Sequence, residues 1–133
     1  MLQFFALTNE SNRVVFGSTT VTNAYIQVAW TAVSDVRDKT NFAPVPHGLD
    51  FVNQLNPIQY QFRTDRQSEE TNGPVRYGFK AQEVLALEGA NPVIIDNENS
   101  EKLRMTDTYM IPILVKAIQE LKAEFDAYKA THP

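Results

Sequence analysis

The sequence predicts an α+β fold: a short N-terminal β-strand segment, then a small mixed domain of short strands and helices ending in a long amphipathic helix. Three patterns carry this. Between Val21 and Val33 the even positions Ala24, Ile26, Val28, Trp30 and Ala32 are apolar, while Asn23, Gln27 and Thr31 occupy odd ones. Between Gly48 and Met105, short runs of helical and strand-like spacing alternate. From Ile111 to Tyr128 apolar residues recur at 3-4-3-4-3 spacing.

The first pattern has the period of two that places alternate side chains on one face of a strand. "VVFGSTTV" (14–21) before it reads as a short strand, a Gly-Ser turn and a return. Tyr25 and Trp30 read as strand core. So thin a ribbon buries little alone, so it calls for another chain or the rest of a longer assembly. The charges, Asn41, two prolines and glycine of "SDVRDKTNFAPVPHG" then break the pattern and place a boundary at Ser34, dividing the chain into 1–33 and 34–133.

After the boundary, "GLDFVNQL" (48–55) sets Leu49, Phe51, Val52 and Leu55 on a helical face, with Pro57 just beyond. "IQYQFR" (58–63) and "VRYGFK" (75–80) alternate as two strands, joined by the polar loop "DRQSEETNGP" into a long-looped hairpin. "AQEVLALEG" is a short helix closed by Gly89. "NPVII" and "KLRM" are candidate strands around the acidic turn "DNENSE".

The last element is a helix over 107–130, with Thr106 or Asp107 to cap it and Pro112 tolerable only near its start. Ile111, Leu114, Ile118, Leu121, Phe125 and Tyr128 form a heptad seam along it. Such a seam serves either packing on the helix's own domain or self-association about a symmetry axis. Isoleucine at two a positions with leucine at d does not choose between two and three strands.

Composition narrows the function. An apolar fraction of 43% with 21% charged residues is that of an ordinary soluble globular domain. A net charge of −4 without any basic stripe argues against nucleic-acid binding. Absence of cysteine excludes disulfides, thiol nucleophiles and thiolate metal sites. His47, a loop residue, and His132 lie far apart in the chain, so no histidine metal site is expected, and nothing suggests a cofactor. No apolar run is long enough to span a membrane, and "MLQFFALTNESNR" lacks the basic start of a secretion signal.

Four motifs in order resemble one family. "SDVRDKTNF", "LDFVNQLNPIQYQF", "YGFKAQEV" and "IPILVKAIQELKAEFDAYK" are similar to the Ser-Asp-x-Arg-x-Lys-x-Asn opening, the helix–strand segment, the Ala-Gln-Glu-Val signature and the closing helix of a self-processing domain. That domain is the intramolecular chaperone at the C-terminus of bacteriophage tail spikes and tail fibres. The resemblance implies a homotrimer that holds the preceding fibre in register while it folds, then cuts itself off as a single-turnover serine endopeptidase. It implies Ser34 as nucleophile, Lys39 as base, a cut between Val33 and Ser34, and residues 1–33 as the end of the fibre. Asp35, Arg37, Asn41, Gln82 and Glu83 are supporting candidates, with a capping role open for Gln82 and Glu83. Implied partners are the chain itself, upstream fibre or other tail proteins, and a host surface receptor. Implied locations are the virion and, during assembly, the host cytoplasm. The alternative is an uncleaved trimerisation cap on a short virion fibre.

The chemistry sets a geometric condition. A serine hydroxyl needs a base, and lysine can serve once neutral. Five residues apart, Ser34 and Lys39 diverge by about 140° on a helix and point to opposite faces of a strand. They need a bend between them, or a lysine from a neighbouring chain. Asp38 stands where the family has a bulky apolar residue; a negative charge there favours charged Lys39, opposite to what a base requires.

Overall fold

The computed structural model describes residues 12–133. These fall into two compact units: residues up to Val33 with Gln59–Arg76, and Ser34–Ile58 with Tyr77–Pro133.

The second unit carries the core. Helix α1 (Leu49–Gln54) ends where Leu55 turns extended, just before Asn56-Pro57. Helix α2 (Ala81–Glu88) is closed by Gly89 at φ 84°, a conformation that glycine adopts without steric cost. Two short strands, β3 (Ile95–Asp96) and β4 (Arg104–Met105), pair antiparallel with Ile95 opposite Met105. Phe51, Val84, Ile94, Ile95, Met110 and Ile113 form one buried cluster, with Val52, Leu55, Phe79, Leu85, Leu103 and Met105 packed around it.

Two carboxylates brace this core, and neither was legible in the sequence. Glu88, at the end of α2, accepts hydrogen bonds from the amides of Val93, Ile94 and Ile95 at 2.9, 2.8 and 2.9 Å. It thereby fixes the segment that delivers Ile94 and Ile95 to the core. Glu120 accepts the amide of Leu49 at 2.9 Å and so caps α1 from another element. A Cβ on Gly48 would lie 1.7 Å from that carboxylate oxygen, so only glycine leaves room for the cap. Glu88→Ala should lower stability by on the order of 2–3 kcal/mol. Gly48→Ala should cost about 1 kcal/mol, since the flexible Glu120 can swing away and only the cap is lost. Thermal unfolding checks both; equal effects would contradict the difference in their roles.

Helix α3 (Met110–Thr131) follows a 3-10 turn at Asp107–Tyr109, and Pro112 sits in its first turn, where its missing N–H costs nothing. Its start differs from expectation: Tyr109 is the capping residue, and neither Thr106 nor Asp107 supplies a side-chain cap. The preceding 3-10 turn already extends the chain into the helix, leaving no isolated first turn for a hydroxyl or carboxylate to close. Met110, Ile113 and Ala117 are buried. The heptad seam is a different stripe: Ile118 is 67% exposed where Ile113 is 4% exposed, and Ile111, Leu114, Leu121, Phe125 and Tyr128 are exposed too. From Ile118 onward no residue of α3 is buried.

The first unit holds most of a hairpin, β1 (Ile58–Arg63) and β2 (Thr71–Gly78), which form a two-stranded sheet. The connection over 64–70 is too short for a parallel crossover, so the strands run antiparallel. The expected loop is shorter than its polar composition suggested, because Thr71–Pro74 is already strand. Gly73, at φ 92°, lets that strand carry an Asn-Gly-Pro sequence.

The N-terminal strands are corrected. Among the described residues before Ile58, none is in a strand. Ser18–Val21 does form a turn, closed by the Val21 amide on the Ser18 carbonyl at 3.1 Å. The reason is the one that made the ribbon look thin: an alternating segment becomes a strand only when another strand takes its backbone hydrogen bonds. Its apolar residues, among them Tyr25, Ile26, Val28 and Trp30, are exposed. Residues 1–11, the rest of the proposed fibre end, lie outside the described residues.

Candidate active site

The candidate site is built on the 3-10 turn at Val36–Asp38. Asp35 caps it: its Oδ1 accepts the Arg37 amide at 2.9 Å. The same carboxylate pairs with the Arg37 guanidinium, Nη2 to Oδ2 at 2.7 Å and Nε to Oδ1 at 3.1 Å. The turn closes through the Asp38 amide on the Asp35 carbonyl and the Lys39 amide on the Val36 carbonyl. Extended residues flank it, Asp35 at φ −62°, ψ 134° and Lys39 at φ −125°, ψ 158°.

That bend satisfies the geometric condition within one chain. Lys39 Nζ donates to Ser34 Oγ at 2.7 Å. Neither regular helix nor strand brings side chains five apart together; a single 3-10 turn between extended flanks does. The pair lies at the surface, as do Asp35, Arg37 and Asp38. Val33 is 81% exposed, and the division of the chain into its two compact units falls between Val33 and Ser34.

Of the supporting candidates, Asp35 and Arg37 hold the bend. The Arg37 guanidinium, bonded side chain to side chain, and the Arg37 amide keep the Asp35 carboxyl below its ordinary value. The carboxylate in turn raises Arg37 above its own. A lowered carboxyl stabilises the folded turn above the unfolded value, roughly pH 4, and that contribution is lost as pH falls through the lowered value. Asn41 adopts φ 56°, a left-handed conformation that asparagine tolerates, and turns the chain away after the site. Gln82 and Glu83 do not cap α2, whose start is Lys80 without a side-chain cap. Glu83 instead accepts a long hydrogen bond from Asn56 at 3.5 Å and faces Lys80 Nζ at 3.8 Å. Among the described residues no hydrogen bond joins Asn41, Gln82 or Glu83 to Ser34 or Lys39.

A second concave feature is a polar cleft of about 450 Å³ beside α1, lined by His47, Asp50, Lys116 and Glu120 among others. Most of its polar groups are already engaged. Glu120 caps α1, Lys116 Nζ donates to the Val45 carbonyl at 2.6 Å, and His47 stacks on Phe51 with ring centroids 4.2 Å apart. Its role is therefore to tie α3 to the loop before α1. Among the described residues no group of His, Asp and Glu gathers in a way that could hold a metal ion. No helix there is long and apolar enough to cross a membrane.

The start of the turn is also the start of a family match. Residues 34–91 match the peptidase S74 family model, the chaperone of endosialidase. This is the intramolecular chaperone domain of phage tail proteins that the motifs resemble. The chaperone match opens on Ser34 and ends before β3, so it takes in the Ser34–Lys39 turn, α1, the hairpin and α2. Helix α3, with its heptad seam, lies beyond it. No curated protein matches the chain, and no solved structure does.

Proposed function

We propose that residues 34–133 are the self-releasing intramolecular chaperone of a phage tail fibre or tail spike, with residues 1–33 as the end of the fibre. The observation that carries this is the 2.7 Å contact of Lys39 Nζ with Ser34 Oγ, on the first residue of the chaperone match. Three chains associate through the α3 seam, the fibre folds, and each chain then cuts its own Val33–Ser34 bond.

The chemistry balances with water as the one added reactant. Neutral Lys39 takes the Ser34 hydroxyl proton, and Oγ attacks the Val33 carbonyl carbon. The carbon–nitrogen bond breaks, and the Ser34 nitrogen leaves as an amine carrying the proton that Lys39 returns. Val33 is then held to Ser34 Oγ as an ester. Water hydrolyses it, giving a Val33 carboxylate and restoring the Ser34 hydroxyl.

In the single chain Lys39 is exposed and donates to Ser34. Burial disfavours the charged form of a lysine. Packing of neighbouring chains over the turn would therefore switch the base on, which couples cutting to assembly. The same exposure supports the second reading, an uncleaved trimerisation cap, should assembly leave the turn open to water.

The seam supports association because no residue of α3 from Ile118 onward is buried in the single chain, and Ile118, Leu121, Phe125 and Tyr128 are all exposed. An amphipathic helix draws most of its stability from packing. The flanking charges support a parallel arrangement: Glu124 and Lys129 occupy the g and e positions that meet between parallel helices. The virion is then the place of the fibre, the host cytoplasm that of assembly, and the exposed aromatic residues Tyr25 and Trp30 are available to a receptor.

Sedimentation equilibrium of the full chain carrying Ser34→Ala tests the assembly; a mass three times 15.1 kDa is expected, and a monomer at micromolar concentration would contradict it. Mixing Ser34→Ala chains with Lys39→Ala chains tests the within-chain pairing. No cleavage should return in the mixture, and recovered cleavage would show that lysine acts across chains. Asp35→Ala, which removes the clamp on the bend, should slow cutting by about tenfold to a hundredfold, the cost of misplacing a reacting pair. An unchanged rate by gel densitometry would remove Asp35 from the site.

A further inference from the structure

We infer that His132 continues the α3 seam by one position, so that three parallel chains bring three imidazoles to its axis and form a site for one divalent transition-metal ion. The inference rests on the three-chain reading of the seam, and it adds a ligand to that reading.

The seam steps 3-4-3-4-3 from Ile111 to Tyr128, and the next step of four is His132. This is the a position that follows Phe125. The structure puts the ring on the seam's face. His132 ends α3, and its ring stacks on that of Tyr128, with centroids 3.9 Å apart and planes 12° apart. Tyr128 is itself a seam residue, so the imidazole lies over the same stripe. His132 is exposed in the single chain.

Hydrogen bonding sets which nitrogen is left to bind. Nδ1 lies 3.0 Å from the Tyr128 carbonyl oxygen and 2.9 Å from Thr131 Oγ1. A carbonyl only accepts, so Nδ1 carries the hydrogen. The Thr131 hydroxyl has its own acceptor in the Tyr128 carbonyl, at 3.1 Å. The lone pair of the neutral ring is then on Nε2, which takes part in no hydrogen bond among the described residues. An Nδ1–H held by a backbone carbonyl, with Nε2 free, is the arrangement that orients a metal-binding histidine.

Within one chain no cluster able to hold a metal forms among the described residues. Association removes that limit, because each chain supplies one ligand. Three neutral imidazoles with water in the fourth position suit a borderline divalent ion such as zinc. Lys129, the nearest cation in sequence, is engaged elsewhere: its Nζ lies 3.6 Å from Asp126 Oδ1 and 4.9 Å from the Phe125 ring centroid.

The ion would do something the apolar seam does not. Apolar layers can repack after the chains slip by seven residues. The same slip moves His132 by about 10 Å along the helix, and the three nitrogens no longer meet. A bound ion therefore selects parallel, unslipped chains, the alignment that three fibre ends need.

Zinc titration of the full chain carrying Ser34→Ala, stripped of metal with a chelator that is then removed, tests this. Calorimetry should find one zinc per three chains. His132→Ala should abolish that binding and leave the metal-free trimer in place, while His47→Ala should bind as its parent does. With free zinc about a hundredfold above its dissociation constant, sedimentation should show the trimer held about a hundredfold more tightly, the factor mass action gives for one site. A metal-free trimer that binds no zinc would overturn the site, leave His132 as a plain helix cap, and keep the three-chain reading intact. So would zinc bound one per chain, or bound equally by His132→Ala. A chain that stays monomeric with and without zinc would overturn the three-chain reading, and the site with it.

Discussion

Ser34→Ala chains should keep their full 15.1 kDa mass under conditions in which wild-type chains are expected to separate at Val33–Ser34. The loss should be complete within detection, at least about 10³-fold, because the nucleophile is gone and nothing else nearby replaces it. Lys39→Ala should fail to a similar extent, since a serine without a base remains protonated. Lys39→Arg should fail as well: a guanidinium keeps the contact with Ser34 but stays charged and cannot take a proton. The double variant should be no worse than either single one, because the two residues act as one unit. Hydroxylamine should speed cutting by the wild type by capturing the ester. A Lys39→Arg chain that cleaves at the wild-type rate would assign the proton transfer to another group.

Ile118→Glu with Leu121→Glu should leave the chain monomeric and its core intact. Both residues are exposed in the single chain, so the substitutions remove nothing from its own packing. In the proposed trimer each would be buried, at ~1.5–3 kcal/mol per residue, and a carboxylate placed there would face its like on two neighbours. The same variant should fail to cut itself if burial of Lys39 depends on assembly. Ile113→Ala is the contrasting change. Ile113 is 4% exposed and belongs to the core cluster, so its truncation should lower stability by ~2–5 kcal/mol. Sedimentation and thermal unfolding together separate the two faces of α3. If the Ile118/Leu121 variant lowered stability of the monomer as Ile113→Ala does, the seam would be core rather than contact.

What was legible in the sequence follows from how local each cause is. The hairpin, α1, α2 and α3 were readable because apolar spacing, Gly89 and Pro57 act over a few residues. The heptad seam was readable as a stripe, but whether it faced its own domain was not, because Met110, Ile113 and Ala117 form a second stripe beside it. The N-terminal segment alternates without forming a strand, because alternation states which face would be buried and says nothing of whether a pairing strand exists. The Ser34–Lys39 pair was visible as two residues needing a bend, and Asp35 and Arg37 were visible as charges able to make one. The long-range side-chain contacts were not visible at all. Glu120 caps a helix 71 positions away, and Arg76 reaches Thr22 54 positions away. No local pattern marks such a residue as anything but a surface charge.

The most direct measurement is the intact mass of purified wild-type chain over time beside Ser34→Ala, with sequencing of any product's N-terminus. The expected result is a fragment beginning Ser-Asp-Val and a complementary one ending at Val33, absent from the variant. A wild-type trimer that keeps its full mass throughout would contradict self-cleavage and leave residues 34–133 as a permanent cap.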